Sequence, residues 1–193
     1  ELNNEEEAAK VLAAVEGHDF TVTTVKISKK KRQPAPPFIT STLQQEASRK
    51  LSMTARRTMS VAQELYEGVD IGSGGVTGLI TYMRTDSLRI ADQAMAQARD
   101  YIMKKYGGDF CPAKARVFKT KKGAQDAHEA IRPSDPSLDP DRVRPYLTPD
   151  QYKLYRLIWS RFIASQMAEA ILNTTSVDME NSGFVFHTTG QTI

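Results

Sequence analysis

The chain has 193 residues, enough for one or two compact domains, and 40% of them are hydrophobic, as in proteins with a buried core. Lysine and arginine total 26 against 23 for aspartate and glutamate, so the net charge of +3 permits a nucleic-acid partner without indicating one. A single cysteine, Cys111, excludes an internal disulfide and a multi-thiolate zinc site, and we expect it to be a packing residue in a reducing compartment. No apolar run approaches the roughly 20 residues of a membrane helix.

The N-terminal part of the sequence predicts a helix, a strand and a connection. Residues 5–16 have apolar side chains at helical spacing. Residues 20–27 are rich in threonine and valine, which predicts a strand with an irregularity near Thr23 and Thr24. The basic run 29–32 is followed by prolines and is interpreted as an inter-domain connection.

Residues 40–68 predict two short helices joined by a tight turn. Ser41 or Thr42 is expected to cap the first helix and Thr54 the second. A strand over 78–83 should follow. Two helices, a tight turn and a strand resemble the helix-turn-helix of a winged-helix domain.

The remaining sequence predicts loops, two helices and a hairpin. The glycine-rich stretch 72–75 and the basic stretch 109–126 are both interpreted as loops. Ser87 is expected to cap a long helix, and Thr148 to cap another whose first residue is proline. Residues 173–193 predict a β-hairpin with its turn at Asn-Ser-Gly.

The stretch 78–87 contains the side chains best suited to chemistry. Tyr82 and Arg84 are two residues apart, so in extended backbone they leave the same face, beside the expected helix start at Ser87. A phenol that attacks phosphorus needs cationic neighbours, and arginine binds phosphate through two parallel hydrogen bonds. On this pattern alone, a half-buried packing tyrosine remains the commoner interpretation.

Three segments resemble the signatures of type IA DNA topoisomerases. They are residues 37–47, residues 81–87 around Tyr82, and residues 127–133, in the order and at the distances expected for that family. Met83 is more similar to the bacterial topoisomerase I branch than to the topoisomerase III branch, which usually has proline there. The resemblance covers most of residues 37–167.

The resemblance implies a mechanism and roles for named residues. Tyr82 would attack a phosphodiester of single-stranded DNA and become joined to the 5′ phosphate, so that resealing needs no ATP. Arg84 and His128 would bind the scissile phosphate as catalytic and DNA-binding residues. Arg132 is a further DNA-binding candidate that, together with Asp86, could orient them.

The resemblance also implies what lies outside the chain. In the whole enzyme Mg²⁺ would be held by a separate domain, so we expect no metal site here. Asp139 and Asp141 have the spacing of a metal-binding pair, but they lie in a proline-rich loop and are poor candidates for metal ligands. The chain is expected to be a central piece of a monomeric cytoplasmic, nucleoid-associated enzyme, inactive by itself, whose partners are single-stranded DNA and its own remaining domains. No membrane partner is expected. His18 and His187 match no motif and are interpreted as bystanders.

These expectations define an α+β protein. A winged-helix-like, mostly α catalytic domain at 39–167 would be inserted in a β-rich arch domain formed by 1–38 and 168–193. One alternative is a non-catalytic winged-helix DNA-binding module. Another is a different tyrosine-dependent strand transferase: a recombinase would show a dispersed set of basic catalytic residues, and a relaxase a metal-binding histidine cluster, which three scattered histidines do not offer. The basic runs 29–32 and 114–122 either contact phosphates or are plain solvated surface.

Overall fold

A computed structural model describes residues 2–72, 75–118 and 128–193. The described residues form both helices and strands, which confirms the predicted mixture. The helices are α1 (Glu5–Val15), α2 (Thr40–Leu51), α3 (Ala55–Glu67), α4 (Asp92–Tyr106), α5 (Pro140–Val143) and α6 (Pro149–Gln166). The strands are β1 (Thr21–Arg32), β2 (Val69–Asp70), β3 (Val76–Thr77), β4 (Ala170–Asn181) and β5 (Phe184–Thr192).

The chain divides into two compact units. One is made of Glu1–Gln33 and Glu169–Ile193, and the other is Pro34–Ala168. The second unit is therefore an insertion in the first. The boundaries between the units lie after residues 33 and 168, whereas the sequence predicted them after residues 38 and 167. The identities of the two units as an arch and a winged-helix-like catalytic domain stay predictions.

The first unit contains an antiparallel sheet in the order β1-β4-β5. The register between β1 and β4 shifts between Val22 and Thr24, which confirms the predicted irregularity. The hairpin between β4 and β5 is also confirmed. Its turn has positive φ at Ser182 (51°) and Gly183 (81°), as a two-residue hairpin turn of right-handed twist requires.

The predicted inter-domain connection comprised the basic run and the prolines after it; the unit boundary does lie just before Pro34, but the prediction is wrong for residues 29–32. They are the last four residues of β1 and pair with Ala170 to Asn173 of β4. The sheet order makes β1 an edge strand, and lysines at an edge strand discourage pairing with a further chain. Their charge therefore suits an outer strand, which the sequence alone did not distinguish from a linker.

In the second unit the helices α2 and α3 pack against α6 around an apolar core. Thr54 caps α3 by accepting a hydrogen bond from the Arg57 N–H at 3.2 Å, as predicted. The predicted cap of α2 is wrong, because α2 begins at Thr40 and the Thr42 hydroxyl accepts from the Ile39 N–H at 3.0 Å. Fully buried side chains of this core include Phe38, Leu43, Leu65, Met83, Ile102, Leu154, Ile158 and Phe162.

The start of α6 has the predicted form. The Thr148 hydroxyl accepts from the Gln151 N–H at 3.3 Å, and the Gln151 side chain accepts from the Thr148 N–H at 3.0 Å. Pro149 is the first helical residue, where its missing N–H is not needed. Cys111 is a free, half-buried cysteine packed against the core, in agreement with its expected role.

Two predictions in the middle of the chain are wrong. Residues 78–83 make an isolated bridge at Ile80 instead of a strand. Helix α4 begins at Asp92, so Ser87 does not cap it. The buried Ser87 hydroxyl instead accepts from the Arg89 N–H at 3.2 Å, and the Ala91 N–H donates to a carboxylate from a distant segment. The first of these bonds is local, and the second is a tertiary contact that the neighbouring sequence does not indicate.

Candidate active site

Main-chain hydrogen bonds bring the three motif segments together. The Ile131 N–H donates to the Phe38 carbonyl at 2.8 Å, which joins the first segment to the third. The Thr81 N–H donates to the Arg132 carbonyl at 2.9 Å, and Ile80 bridges Pro133, which joins the second to the third. The segments thus meet in space although many residues separate them in sequence.

Thr40, the first residue of α2, fixes the chain just after Tyr82. Its hydroxyl accepts from the Thr85 N–H at 2.9 Å and lies 2.8 Å from the Met83 carbonyl oxygen. Its own N–H donates to the Thr85 carbonyl at 2.9 Å. The position of Arg84 therefore depends on Thr40, a residue that the sequence did not single out beyond its place in the first motif.

Tyr82 is half-buried between two aromatic rings. The Tyr66 ring lies edge-on with its centroid 5.4 Å away, and the His128 ring is tilted with its centroid 5.6 Å away. The next residue, Met83, is fully buried and anchors the chain in the core. The structure thus places Tyr82 and His128 side by side.

Arg84 and His128 line a shared open groove of about 470 Å³. The remaining lining residues are Ile39, Thr40, Ser41, Thr85 and Asp86. Arg84 is exposed, and its guanidinium has no hydrogen-bond or ion-pair partner among the residues that the structure describes. Tyr82 does not line this groove and adjoins it through the His128 ring. The groove can accept an anion at an available guanidinium next to an imidazole.

Arg132 does not line this groove and forms an ion pair with Glu129. Its side chain is 11% exposed, and its Nε donates to Glu129 Oε2 at 2.7 Å. The same oxygen accepts from the Ala91 N–H at 3.2 Å. Burial raises the pKa of Glu129, but hydrogen bonds from Arg132 and Ala91 outweigh it and hold this pKa below its usual value. Glu129 was also missed at the sequence level, although it follows His128 directly.

The two other histidines belong to the other unit. His18 Nδ1 lies 3.1 Å from the Glu16 carbonyl oxygen, and His187 Nδ1 lies 2.6 Å from an Asp178 carboxylate oxygen. The first contact is local in sequence, and the second joins paired residues of β4 and β5. Of the second basic run, residues 119–122 are outside the described residues, as are Ser73, Gly74 and Ala127.

Within residues 2–72, 75–118 and 128–193 no three histidine, cysteine, aspartate or glutamate side chains come together as metal ligands. In the same part of the chain no helix is long and apolar enough to cross a membrane.

Comparison with known proteins defines the family. The model of the DNA topoisomerase family matches residues 1–193, so the chain belongs to that family. Its structure is similar to full-length topoisomerase I from Thermotoga maritima, with a TM-score of 0.80 and 37% sequence identity. The match covers 98% of this chain and 30% of that one. The resemblance to bacterial topoisomerase I, first seen in three sequence segments, is thereby confirmed.

Proposed function

We propose that this chain is the tyrosine-bearing part of a type IA DNA topoisomerase that cleaves and rejoins one DNA strand, relaxing negative supercoils without ATP. The observation that supports this most is the placement of Tyr82 beside His128, with Arg84, which has no partner among the described residues, in the groove that His128 lines. Nucleophile, proton carrier and phosphate ligand are the three groups that strand transfer requires.

In this proposal the Tyr82 phenolic oxygen forms a bond to phosphorus while the bond from phosphorus to the 3′ oxygen breaks. The phenol loses its proton and the leaving 3′ oxygen gains one, so the strand ends in a 3′ hydroxyl and a 5′ phosphotyrosine. One phosphodiester replaces another, which is why resealing by the reverse step needs no ATP.

The basic side chains near Tyr82 have distinct roles in this proposal. Arg84 binds the scissile phosphate and offsets the charge that develops on its oxygens. His128 contacts the same phosphate or carries the proton. Arg132 was expected to bind DNA directly, but its bond to Glu129 favours a role in holding the segment that carries His128. A direct contact of Arg132 with DNA stays a prediction.

The family resemblance implies that such an enzyme uses magnesium. We propose that the metal ligands lie in other parts of the polypeptide, as the family resemblance implies. The isolated chain is accordingly expected to fold without relaxing supercoiled DNA. Measurable relaxation by the purified chain with Mg²⁺ would contradict this assignment.

The test uses the full-length polypeptide that contains this chain, incubated with a single-stranded oligonucleotide labelled at its 3′ end and stopped with denaturant. The wild type should retain label on the protein through a phosphotyrosine bond, and Tyr82→Phe should retain none. Tyr66→Phe is the matched control, because it removes a phenolic oxygen from the ring packed against Tyr82 and should still form the adduct. An adduct that persists in Tyr82→Phe would move the nucleophile elsewhere.

The same experiment separates the rival function. A non-catalytic winged-helix module would bind duplex DNA through α3 equally well with and without the Tyr82 hydroxyl, and neither protein would form an adduct. Only the adduct, and not binding, therefore decides between the two.

A further inference from the structure

A second recess lies in the Pro34–Ala168 unit, between the end of α2 and the exposed face of α6. We call it the α2–α6 recess; its volume is about 250 Å³. Its lining includes Lys50 and Leu51 of α2 with Tyr152, Lys153, Arg156 and Leu157 of α6. It shares no lining residue with the groove of Arg84 and His128.

The rim of the α2–α6 recess is positively charged. Lys153 and Arg156 are three residues apart on α6, so they lie on one face of the helix, and both are exposed. Within the described part of the chain neither forms an ion pair, while Lys50 contacts Glu46 at 2.8 Å. No carboxylate lines the recess. Two available cations therefore flank one small concavity.

The floor of the recess is apolar and aromatic. Leu51 and Leu157 contribute aliphatic surface, and the half-buried Tyr152 contributes a ring with the Arg144 guanidinium 5.2 Å from its centroid. Cations that follow a backbone beside an aromatic surface are typical of single-strand binding sites, since unpaired bases expose their faces. Duplex DNA offers the phosphates but keeps its bases stacked inside.

We propose that the α2–α6 recess is a second binding site for single-stranded DNA, separate from the groove of Arg84 and His128. A backbone phosphate lies between Lys153 and Arg156, and the adjoining base packs on Leu51, Leu157 and Tyr152. The proposal rests on the proposed function only for its partner, single-stranded DNA. Chemistry at Tyr82 has no part in it.

The test measures binding without cleavage, using the full-length polypeptide with Tyr82→Phe and a labelled single-stranded oligonucleotide in a salt series. Each phosphate contact with a single strand contributes about 0.7 to the slope of log affinity against log salt. Lys153→Gln/Arg156→Gln should therefore lower the slope by about 1.4 and weaken binding about 25-fold at ~0.1 M salt. Lys153→Arg/Arg156→Lys keeps both charges and should keep the slope.

The matched control is Lys104→Gln/Arg142→Gln, which removes one lysine and one arginine from a different recess. That recess is also lined by Asp100, Asp135 and Asp139, so its charges are balanced. The control should leave slope and affinity unchanged. Equal losses in both double variants would overturn the proposal, because they would show an effect of net charge alone.

Two further substrates test the base contact and the choice of single strands. Tyr152→Ala should weaken binding of an intact strand at least about fivefold and leave binding of an abasic strand unchanged. Binding of fully duplex DNA should not respond to Lys153→Gln/Arg156→Gln, and an equal loss on duplex would refute the site as stated. Failure of the cleavage proposal has a different signature, namely an absent Tyr82 adduct in the wild type with the binding results intact.

Discussion

Replacing Glu129 with alanine is expected to destabilise the Pro34–Ala168 unit by about 2–4 kcal/mol. The carboxylate holds Arg132 Nε at 2.7 Å and the Ala91 N–H at 3.2 Å. Alanine would leave a guanidinium that is 11% exposed with the Pro133 carbonyl, at 3.0 Å, as its remaining partner. Breaking a fully buried ion pair costs about 3–5 kcal/mol, and the partial exposure of this pair lowers the figure.

The destabilisation caused by Glu129→Ala should depend on pH in a defined direction. The pKa of Glu129 is lower in the folded chain than in the unfolded one, so the unfolded state takes up a proton first as pH falls. The contribution of this carboxylate is therefore complete above a pH of about 5. The contribution is lost as pH falls through the folded-state pKa of Glu129. The wild type and Glu129→Ala should therefore have similar free energies of unfolding in acid.

Thermal unfolding of the 193-residue chain, followed by circular dichroism, measures both effects. For a chain of this length about 1 kcal/mol corresponds to 2–4 °C, so Tm of Glu129→Ala should fall by about 4–16 °C at neutral pH. Glu129→Gln keeps a neutral hydrogen-bond acceptor, so its Tm should fall by about half as much. A decrease in Tm of less than about 1 °C for Glu129→Ala would refute the reasoning, and so would a Tm difference from the wild type that stays constant into acid.

Two further predictions concern the frame around Tyr82, measured by urea unfolding. Thr40→Val removes the hydroxyl that accepts from the Thr85 N–H at 2.9 Å and should lower the free energy of unfolding by about 1–3 kcal/mol. Thr40→Ser keeps the hydroxyl and should stay near the wild type, so equal losses in both variants would contradict this role. Gly78→Ala places a Cβ 2.7 Å from the Tyr66 carbonyl oxygen and should cost about 1–3 kcal/mol. Gly190→Ala, with nothing within 4 Å, should change stability by less than about 0.5 kcal/mol, and equal effects at both glycines would show that the close approach is relieved freely.

Local signals in the sequence were sufficient where the structure is held together locally. Thr54 and Thr148 cap their helices because the acceptor and the N–H that it satisfies are three residues apart. The turn at Ser182 and Gly183 follows from the short-range geometry of a hairpin. Such features carry their cause within a few residues.

Predictions failed where distant residues decide the structure. Residues 29–32 look like a linker because their pairing partner, the start of β4, lies far along the chain. Ser87 resembles a helix cap, but the Ala91 N–H that would open the helix donates to Glu129 instead. Neither partner is recognisable from the neighbouring sequence.

The candidate site also contains residues that the sequence indicated and residues that it did not. Tyr82, Arg84 and His128 were selected through family resemblance, because composition and spacing alone favour ordinary packing for a strand-like tyrosine. Thr40 and Glu129 lie inside the matched motifs, yet their hydrogen bonds to remote main-chain groups gave no local sign. Their position as polar residues inside the matched motifs is the sequence signal that could have identified Thr40 and Glu129.

The hydrogen bonds between the motif segments have a mechanical consequence for a cleaved strand. Because Phe38 holds Ile131 and Thr81 holds Arg132, the phenol and the imidazole are fastened to one frame within a single unit. A 5′ end captured by Tyr82 would thus stay with Arg84 and His128 however far the opposite end is carried. In the proposed reaction the phosphotyrosine would therefore remain beside these two side chains, where the 3′ hydroxyl attacks phosphorus and releases the Tyr82 oxygen.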